Sequence, residues 1–288
     1  MNICPGDFVL EIGSGHNPKP RANVLCDKFI EDDEQRGGGI IADRPLVEAD
    51  GQYLPFADSA FDYVICSHVL EHVEKPALLL AELMRVAKRG YIETPSEIAE
   101  RIYGWPYHHW VVNKIDGRLV LQEKVCEAKN AADSPPHYGG FGQLFHTLAA
   151  EDKQWKRFHL THHHLFLVQY EWEGEIDYEL LPPGKSPLDL ESPKTLAALR
   201  NAYPKNQWLP IIKNAIPNGI ISRLKTAVGA IYRSRRGAEG IENGRALLQE
   251  ILVCPQCKGE ISWEEDNLQC ATCERNYPII NGIPRLTV

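Results

Sequence analysis

Residues 8–15 read FVLEIGSG, an apolar run interrupted by one acid and closed by Gly13-Ser14-Gly15. Such a run predicts a buried parallel strand, and the glycines let backbone approach a ligand at its carboxyl end. The third glycine of a dinucleotide-binding fingerprint would fall at position 18, which is Pro18. GxGxxG is therefore broken, and a nicotinamide or flavin cofactor loses its main support.

The neighbouring segments repeat the pattern. Ala22–Cys26 predicts a second strand ending in Asp27, an acid suited to a ribose diol, and Val47–Ala49 a third ending in Asp50. Phe61–Cys66 predicts a fourth strand, followed by Ser67-His68-Val69-Leu70-Glu71-His72. Pro76 suits the first turn of a helix reaching about Lys88, with Leu79, Leu83 and Val86 on one face and Gly90 as its stop. Tyr91–Thr94 predicts a fifth strand closed by Pro95. Acids and glycines at successive strand ends describe the ligand edge of an open parallel sheet, hence an α/β fold. About ten residues join the first two strands, and His16-Asn17-Pro18-Lys19-Pro20 among them cannot form a full crossover helix. That helix is expected to be shortened or lost.

VLEIGSG, the acid at Asp27, EADGQYLPFADSAFDYVICSHVLEHV and RGYIETPS, over about residues 7–96, resemble the class I S-adenosylmethionine-dependent methyltransferases of the type 11 kind. The resemblance implies a Rossmann-like sheet and S-adenosylmethionine as cofactor. Glu11, Gly13, Ser14 and Gly15 would then line its methionine part, Asp27 would hold the ribose hydroxyls, and Asp50 and Gly51 would flank the adenine. Ser67 and His68 would sit beside the sulfonium. The motif starts close to residue 1, so the cap common in that family is missing and another segment has to cover the cofactor.

Methyl transfer to a hydroxyl needs an aligned nucleophile and a base. His68 is one candidate base; packing of His68 and His72 at the start of the helix is the alternative, and Glu71 is a candidate substrate contact or, more simply, a cap of that helix. RIYGWPYHHWVV, residues 101–112, places Tyr107, His108 and His109 in the loop after the fifth strand, as acceptor-site candidates or as aromatic core. Asp116-Gly117 between WVVNKI and RLVLQ predicts a hairpin. His162-His163-His164 invites a metal, but FHLTHHHLFLVQY reads more simply as a late strand. Residues 182–210 are rich in proline and polar residues, as expected of a surface excursion or linker. Residues 213–236 hold six Lys or Arg and no acid, with Ile220, Leu224, Val228 and Ile231 on one helical face. Such a basic amphipathic helix can pack on the core or lie on an anionic membrane.

Cys254, Cys257, Cys270 and Cys273 form C-x2-C-x12-C-x2-C. Four thiolates favour tetrahedral zinc in a closed structural site, with an iron–sulfur cluster as the alternative. ILVCPQCKGEISWEEDNLQCATCERNYPIINGIPRL, within about residues 249–288, resembles the small zinc-ribbon activator subunits of methyltransferases that modify tRNA, rRNA and translation factors. The resemblance implies that the ribbon adds a strand to the methyltransferase sheet, here in cis. The expected domains are a methyltransferase over 1–180, a linker with the basic helix over 181–247 and a zinc ribbon over 248–288.

The chain has 288 residues, eight cysteines and a net charge of −8, which argues against a generally basic nucleic-acid surface. No run of about 18 apolar residues and no signal-like N-terminus is present, so a cytoplasmic location is expected, with peripheral membrane contact through residues 213–236 left open. The reading is a methyltransferase acting on a small-molecule, glycan or lipid-linked acceptor. A tRNA or translation-protein substrate is the alternative, as is a non-catalytic cofactor-binding scaffold that recruits a partner.

Overall fold

A computed structural model of the chain describes residues 1–31, 38–124, 142–189, 192–195, 197 and 239–288. The basic segment 213–236 lies outside the described residues. Two compact units are present, one of residues 1–92, 171–176 and 230–288, the other of residues 93–170 and 177–229.

The first unit is built on strands β1 (Val9–Ile12), β2 (Val24–Asp27), β3 (Leu46–Glu48) and β4 (Tyr63–Ser67). β1 pairs in parallel with β2 and with β4, and β2 pairs in parallel with β3. Helix α1 (Pro76–Val86) takes Pro76 in its first turn, as expected. β5 (Arg89–Pro95) and β8 (Leu167–Glu173) complete the sheet, in the order β3-β2-β1-β4-β5-β8. Gly90 does not stop α1, which ends at Val86; it lies inside β5, where a Cβ would meet the Val64 carbonyl at 2.6 Å and Trp172 Nε1 at 2.8 Å. Only glycine fits there. Glu71 does not cap α1, because the residue before the helix is Lys75.

A parallel sheet needs cover on both faces. Leu79 of α1 and Ile12 meet beside Gly51, so α1 covers the Ile12 face. On the other face lie Val9, Glu11, Leu25, Leu46 and Ile65, matched by register. Among the described residues, the connections from β1 to β2, β2 to β3 and β3 to β4 contain no α-helix, only a 3-10 turn at Gly51–Tyr53. The expected loss of the first crossover helix thus extends further along the chain. Ile30, Ile40 and Ile283 pack instead on Ala22, Leu25 and Leu46, while Ile3 packs on Val9, Tyr63, Ile65 and Tyr91.

Polar groups pin the helix-free first crossover. Glu11, 2% exposed, accepts the Lys19 amide at 2.6 Å, and the Arg44 guanidinium donates to the Lys19 and Ala22 carbonyls. Burial pushes the Glu11 carboxyl up to about 7, against the Lys19 amide and the charges of Lys19 and Arg44.

The C-terminal part of this unit begins with α6 (Glu239–Ile251), which runs across the expected boundary at residue 247. An antiparallel sheet follows: β10 (Ile261–Trp263), β11 (Asn267–Cys270), β12 (Asn276–Ile280) and β13 (Ile283–Pro284). Just past β13, Arg285 forms a parallel bridge with Glu48 of β3, and the Leu286 amide donates to the Glu48 carbonyl at 2.8 Å. The exposed edge of the parallel sheet is thereby paired. Phe56 and Leu252, both buried, sit in an antiparallel bridge flanked by Ala57 N to Ile251 O and Val253 N to Pro55 O. Lys258 adds ion pairing to Glu82 at 2.9 Å, but it is one-third exposed and contributes at most about 1 kcal/mol. Backbone pairing and apolar burial hold the ribbon in place.

In the second unit, α2 (Glu97–Tyr103) is capped by Ser96. β6 (Trp110–Ile115) and β7 (Arg118–Glu123) form the expected hairpin, with Asp116 and Gly117 both at positive φ, and β9 (Tyr178–Leu181) pairs in parallel with β7. The stretch expected as a late strand from Phe158 to Tyr170 is helical in its first half. It follows α3 (Gly142–Glu151) as α4 (Lys153–Thr161) and α5 (His163–Phe166), and only Leu167 onward is strand. Trp155, Phe158, His159 and His162 recur at three- and four-residue spacing, a helical period, and Asp152 caps α4 through the Trp155 amide.

Replacing Glu11 by Gln tests the buried acid. Its folded pKa of about 7 lies above the ordinary 4.5, so the native chain holds the proton through this window and stability falls as pH rises from about 4.5 to 7. Glu11→Gln is expected to remove that slope, gaining up to about 3 kcal/mol over wild type at pH 8 in urea melts, with little difference near pH 4.

Candidate functional site

The strand order reverses between β1 and β4, and in open α/β sheets ligands bind outside the carboxyl ends at such a switch point. Gly13–Gly15 leave β1 here, Asp27 ends β2, Asp50 follows β3 and Ser67 ends β4. The fold therefore brings to one sheet edge the residues that the sequence suggested for a cofactor. Gly13 has φ +70, and a Cβ on it would meet Val69 Cγ2 at 2.3 Å, so its close neighbour is the segment after β4. Asp27 accepts the Gly15 amide at 2.9 Å and the Phe29 amide at 3.1 Å, which fixes its carboxylate at the rim of the crevice.

Asp50 caps the 3-10 turn through the Gln52 amide and pairs with Lys28 at 2.8 Å. Burial raises its carboxyl, but the bonds to Lys28 and Gln52 outweigh this and leave it below the usual range. Lys28 and Gln52 escape a sequence reading, since only the fold brings β2 and β3 side by side. Glu11 accepts the Lys19 amide of the crossover loop, and a Cβ on Gly51 would meet Leu79 of α1 at 2.9 Å. Among the described residues, Ser14 Oγ and Ser67 Oγ are buried without a hydrogen-bond partner. Two orphaned hydroxyls at the switch point, beside a fixed carboxylate, suit a polar ligand such as S-adenosylmethionine.

His68 adopts φ +55, a left-handed backbone that costs a non-glycine residue about 1–3 kcal/mol and is concentrated at functional sites. It is half exposed, with Nδ1 3.4 Å from the buried Glu71. In the second unit, His108 is 4% exposed, and its Nδ1 lies 2.6 Å from Glu100. The other Glu100 oxygen takes Lys124 Nζ, which also donates to the Trp105 carbonyl. His109 is exposed and offers its carbonyl to the Lys124 amide. Nothing local in the sequence marks Glu100 or Lys124 as a pair, because 24 residues separate them. The three consecutive histidines begin at the end of α4, and two of them hydrogen-bond locally, His162 to Phe158 O and His163 to Leu160 O.

The ribbon carries a second constellation. The Sγ atoms of Cys254, Cys257, Cys270 and Cys273 all lie within 4.8 Å of one another, with pairs at 3.4 and 3.6 Å. Tetrahedral zinc at about 2.3 Å from each sulfur needs separations of about 3.8 Å, so the donor set fits. The two CxxC turns match: Lys258 and Glu274, each just past the second cysteine, have φ of 58 and 59 and donate to the Cys254 and Cys270 carbonyls. Cys270 Sγ accepts the Thr272 and Cys273 amides. At Cys254 burial pushes the thiol up, but the Tyr277 hydroxyl and the Cys257 and Gln256 amides bring it down to about 6. At Cys257 the Gly259 amide pulls down, but desolvation and the neighbouring thiols push it up to about 12. Crowded thiols cannot all ionise without a cation, and a divalent metal would supply that charge.

Purified protein is expected to contain one zinc per chain. Chelation should abolish hydrogen-exchange protection in β10–β13, since such a site contributes on the order of 10 kcal/mol to folding. Metal-free protein with that protection intact would contradict the assignment.

A family model described as "Methyltransferase domain" matches residues 25–92, and one described as "Trm112p-like protein" matches residues 245–282. The chain is 32% identical over 110 residues to a demethylmenaquinone methyltransferase of Renibacterium salmoninarum, covering 36% of this chain and 46% of that protein. A demethylmenaquinone methyltransferase of Thermobifida fusca is 37% identical over 79 residues, covering 25% and 34%. An uncharacterized methyltransferase of Mycobacterium tuberculosis is 41% identical over 95 residues, covering 30% and 37%. The chain spans less than half the length of each of these relatives. It joins a methyltransferase domain on a Rossmann-like sheet to a Trm112p-like domain in one polypeptide.

Proposed function

We propose that the chain transfers a methyl group from S-adenosylmethionine to a small-molecule acceptor, glycan and lipid-linked compounds included. The observation that carries the reading is the pair of orphaned hydroxyls, Ser14 and Ser67, at the switch point of a sheet whose segment 25–92 matches a methyltransferase family. S-adenosylmethionine, when bound, supplies the reactive methyl carbon. Asp27 would hold the ribose diol, Asp50 and Gly51 would flank the adenine, and Ser14 and Ser67 would bond polar groups that enter the crevice. Glu100 holds His108 Nδ1, in the manner of a carboxylate that orients a catalytic imidazole, and His108 is the first candidate to take an acceptor proton. His68 and His109 are the other candidates for that step. The names of two relatives, demethylmenaquinone methyltransferases, favour a small molecule over a macromolecule.

The second reading, a tRNA or translation-protein substrate, rests on the Trm112p-like match. The ribbon's place along β3 supports a different use for that domain, as the edge and part of the cover of the catalytic sheet. Four thiolates around one ion leave no open position for chemistry, so zinc would serve structure alone.

Calorimetry with S-adenosylmethionine decides first: binding is expected, and its absence would sink the enzyme reading in favour of a scaffold that recruits a partner. Asp27→Ala should weaken cofactor affinity at least tenfold, a loss of about 1.4 kcal/mol. Once an acceptor is found among lipid, metabolite, RNA and protein fractions, His108→Gln should lower kcat by about 10²–10⁴ with cofactor affinity unchanged.

A further inference from the structure

We propose that Gln52 is a positioning residue: it sets the Asp50 carboxylate to accept an amino group, and to reject an oxo group, on the base of a bound nucleoside. The inference rests on the reading that S-adenosylmethionine occupies the crevice. It names the part of that molecule which the turn after β3 tells apart from close analogues.

Gln52 is buried, 8% exposed, and bonds through three groups at once. Its backbone amide donates to Asp50 Oδ1 at 2.9 Å, and its side-chain Nε2 donates to Oδ1 at 3.1 Å and to Oδ2 at 3.3 Å. Its Oε1 accepts the Lys75 amide at 2.9 Å. Lys75 precedes α1 and provides no side-chain cap, so Gln52 reaches across from the 3-10 turn to bond the start of that helix. The side-chain amide cannot be turned over, because the reverse orientation would set oxygen against oxygen and N–H against N–H. The turn itself is wedged: a Cβ on Gly51 would meet Leu79 of α1 at 2.9 Å and Ile12 of β1 at 3.4 Å. Asp50 is thus held by a buried frame tied to β1 and α1, whereas Lys28, its other partner, is half exposed.

An ionised carboxylate offers about four acceptor positions. Gln52 N, Gln52 Nε2 and Lys28 Nζ are three donors to Asp50, which leaves capacity for one more. Burial would raise this carboxyl, but the bonds from Lys28 and Gln52 leave it below the usual range, so at neutral pH it accepts and does not donate. An NH2 group on a base can meet it. A carbonyl oxygen would meet a negative charge and give up its water without replacement. Sites that bond a donor in this way reject an analogue lacking it far more strongly than apolar pockets reject a change of size.

The test is calorimetry of the full chain with S-adenosylhomocysteine and with S-inosylhomocysteine, which carries an oxo group where the first has an amino group. Wild type should bind the amino compound at least about tenfold more tightly. Gln52→Glu keeps an oxygen for the Lys75 amide but sets a second carboxyl against Asp50. Such a pair shares a proton, which can be donated to an oxo group, so the ratio should shrink at least about fivefold. Gln52→Met keeps the length of the side chain without its polar groups and should shrink the ratio too. A Gln52 that served the fold alone would lower both affinities together. A wild-type ratio near one, or an unchanged ratio in either folded variant, overturns this inference and leaves the cofactor reading standing; binding of neither compound to wild type overturns both. In the wild type, the Gln52 side-chain amide resonances should shift when S-adenosylhomocysteine binds, a readout that needs no variant to fold. Resonances that stay in place while the compound binds would overturn the inference as well.

Discussion

The parallel pairing of β1, β2, β3 and β4 creates a demand that the segments between them do not meet. Each strand is apolar on two sides, and a sheet of this kind is stable only when both sides are sealed from water. α1 seals one side; on the other, the crossovers that would supply helices are loops among the described residues. The rest of the first unit follows from that deficit. Isoleucines from distant segments (Ile3, Ile30, Ile40 and Ile283) take the place of helical ridges, and the last of them belongs to the ribbon. The ribbon is thus part of the wall of the parallel sheet as much as its neighbour.

Replacing a helix by a loop also exposes backbone to the interior, and the chain answers with charge. Glu11 and Arg44 accept and donate to the crossover backbone where a helix would have satisfied itself. The cost is a carboxyl held in an apolar layer, visible in its raised pKa. At the rim above, Asp27 and Asp50 face the opposite situation. Each is held by amide or ammonium donors that orient it, and at Asp50 these outweigh burial and hold the carboxyl below the usual range, which suits recognition of hydroxyl and amine groups.

Much of this was legible in the sequence, because strand ends and metal knuckles announce themselves locally. FVLEIGSG, the acids at positions 27 and 50, the proline that opens α1, the Asp116-Gly117 turn and the paired CxxC motifs each carry their conformation within a few residues. What stayed hidden was set by contacts across the fold. Gly90 reads as a helix stop until Val64 and Trp172 are seen to crowd it. The histidine run reads as a strand because its apolar neighbours are dense, and only the Trp155–Phe158–His159–His162 spacing reveals the helix. The Lys28–Asp50 and Lys124–Glu100–His108 groups join residues 8 to 24 apart, and no local rule pairs them. Glu71 reads as a helix cap by its place ahead of α1, but the residue that precedes α1 is Lys75.

The bridge from Arg285 and Leu286 to Glu48 imposes an order on synthesis. The edge strand β3 leaves the ribosome about 240 residues before the segment that pairs with it. At roughly 5–20 residues per second the wait is on the order of ten to fifty seconds. For that time the nascent sheet presents an open edge and a half-covered apolar face, the condition in which chains pair with the wrong neighbour. The closing piece follows the edge it completes by about 240 residues, so over that stretch of synthesis β3 waits with one side unpaired.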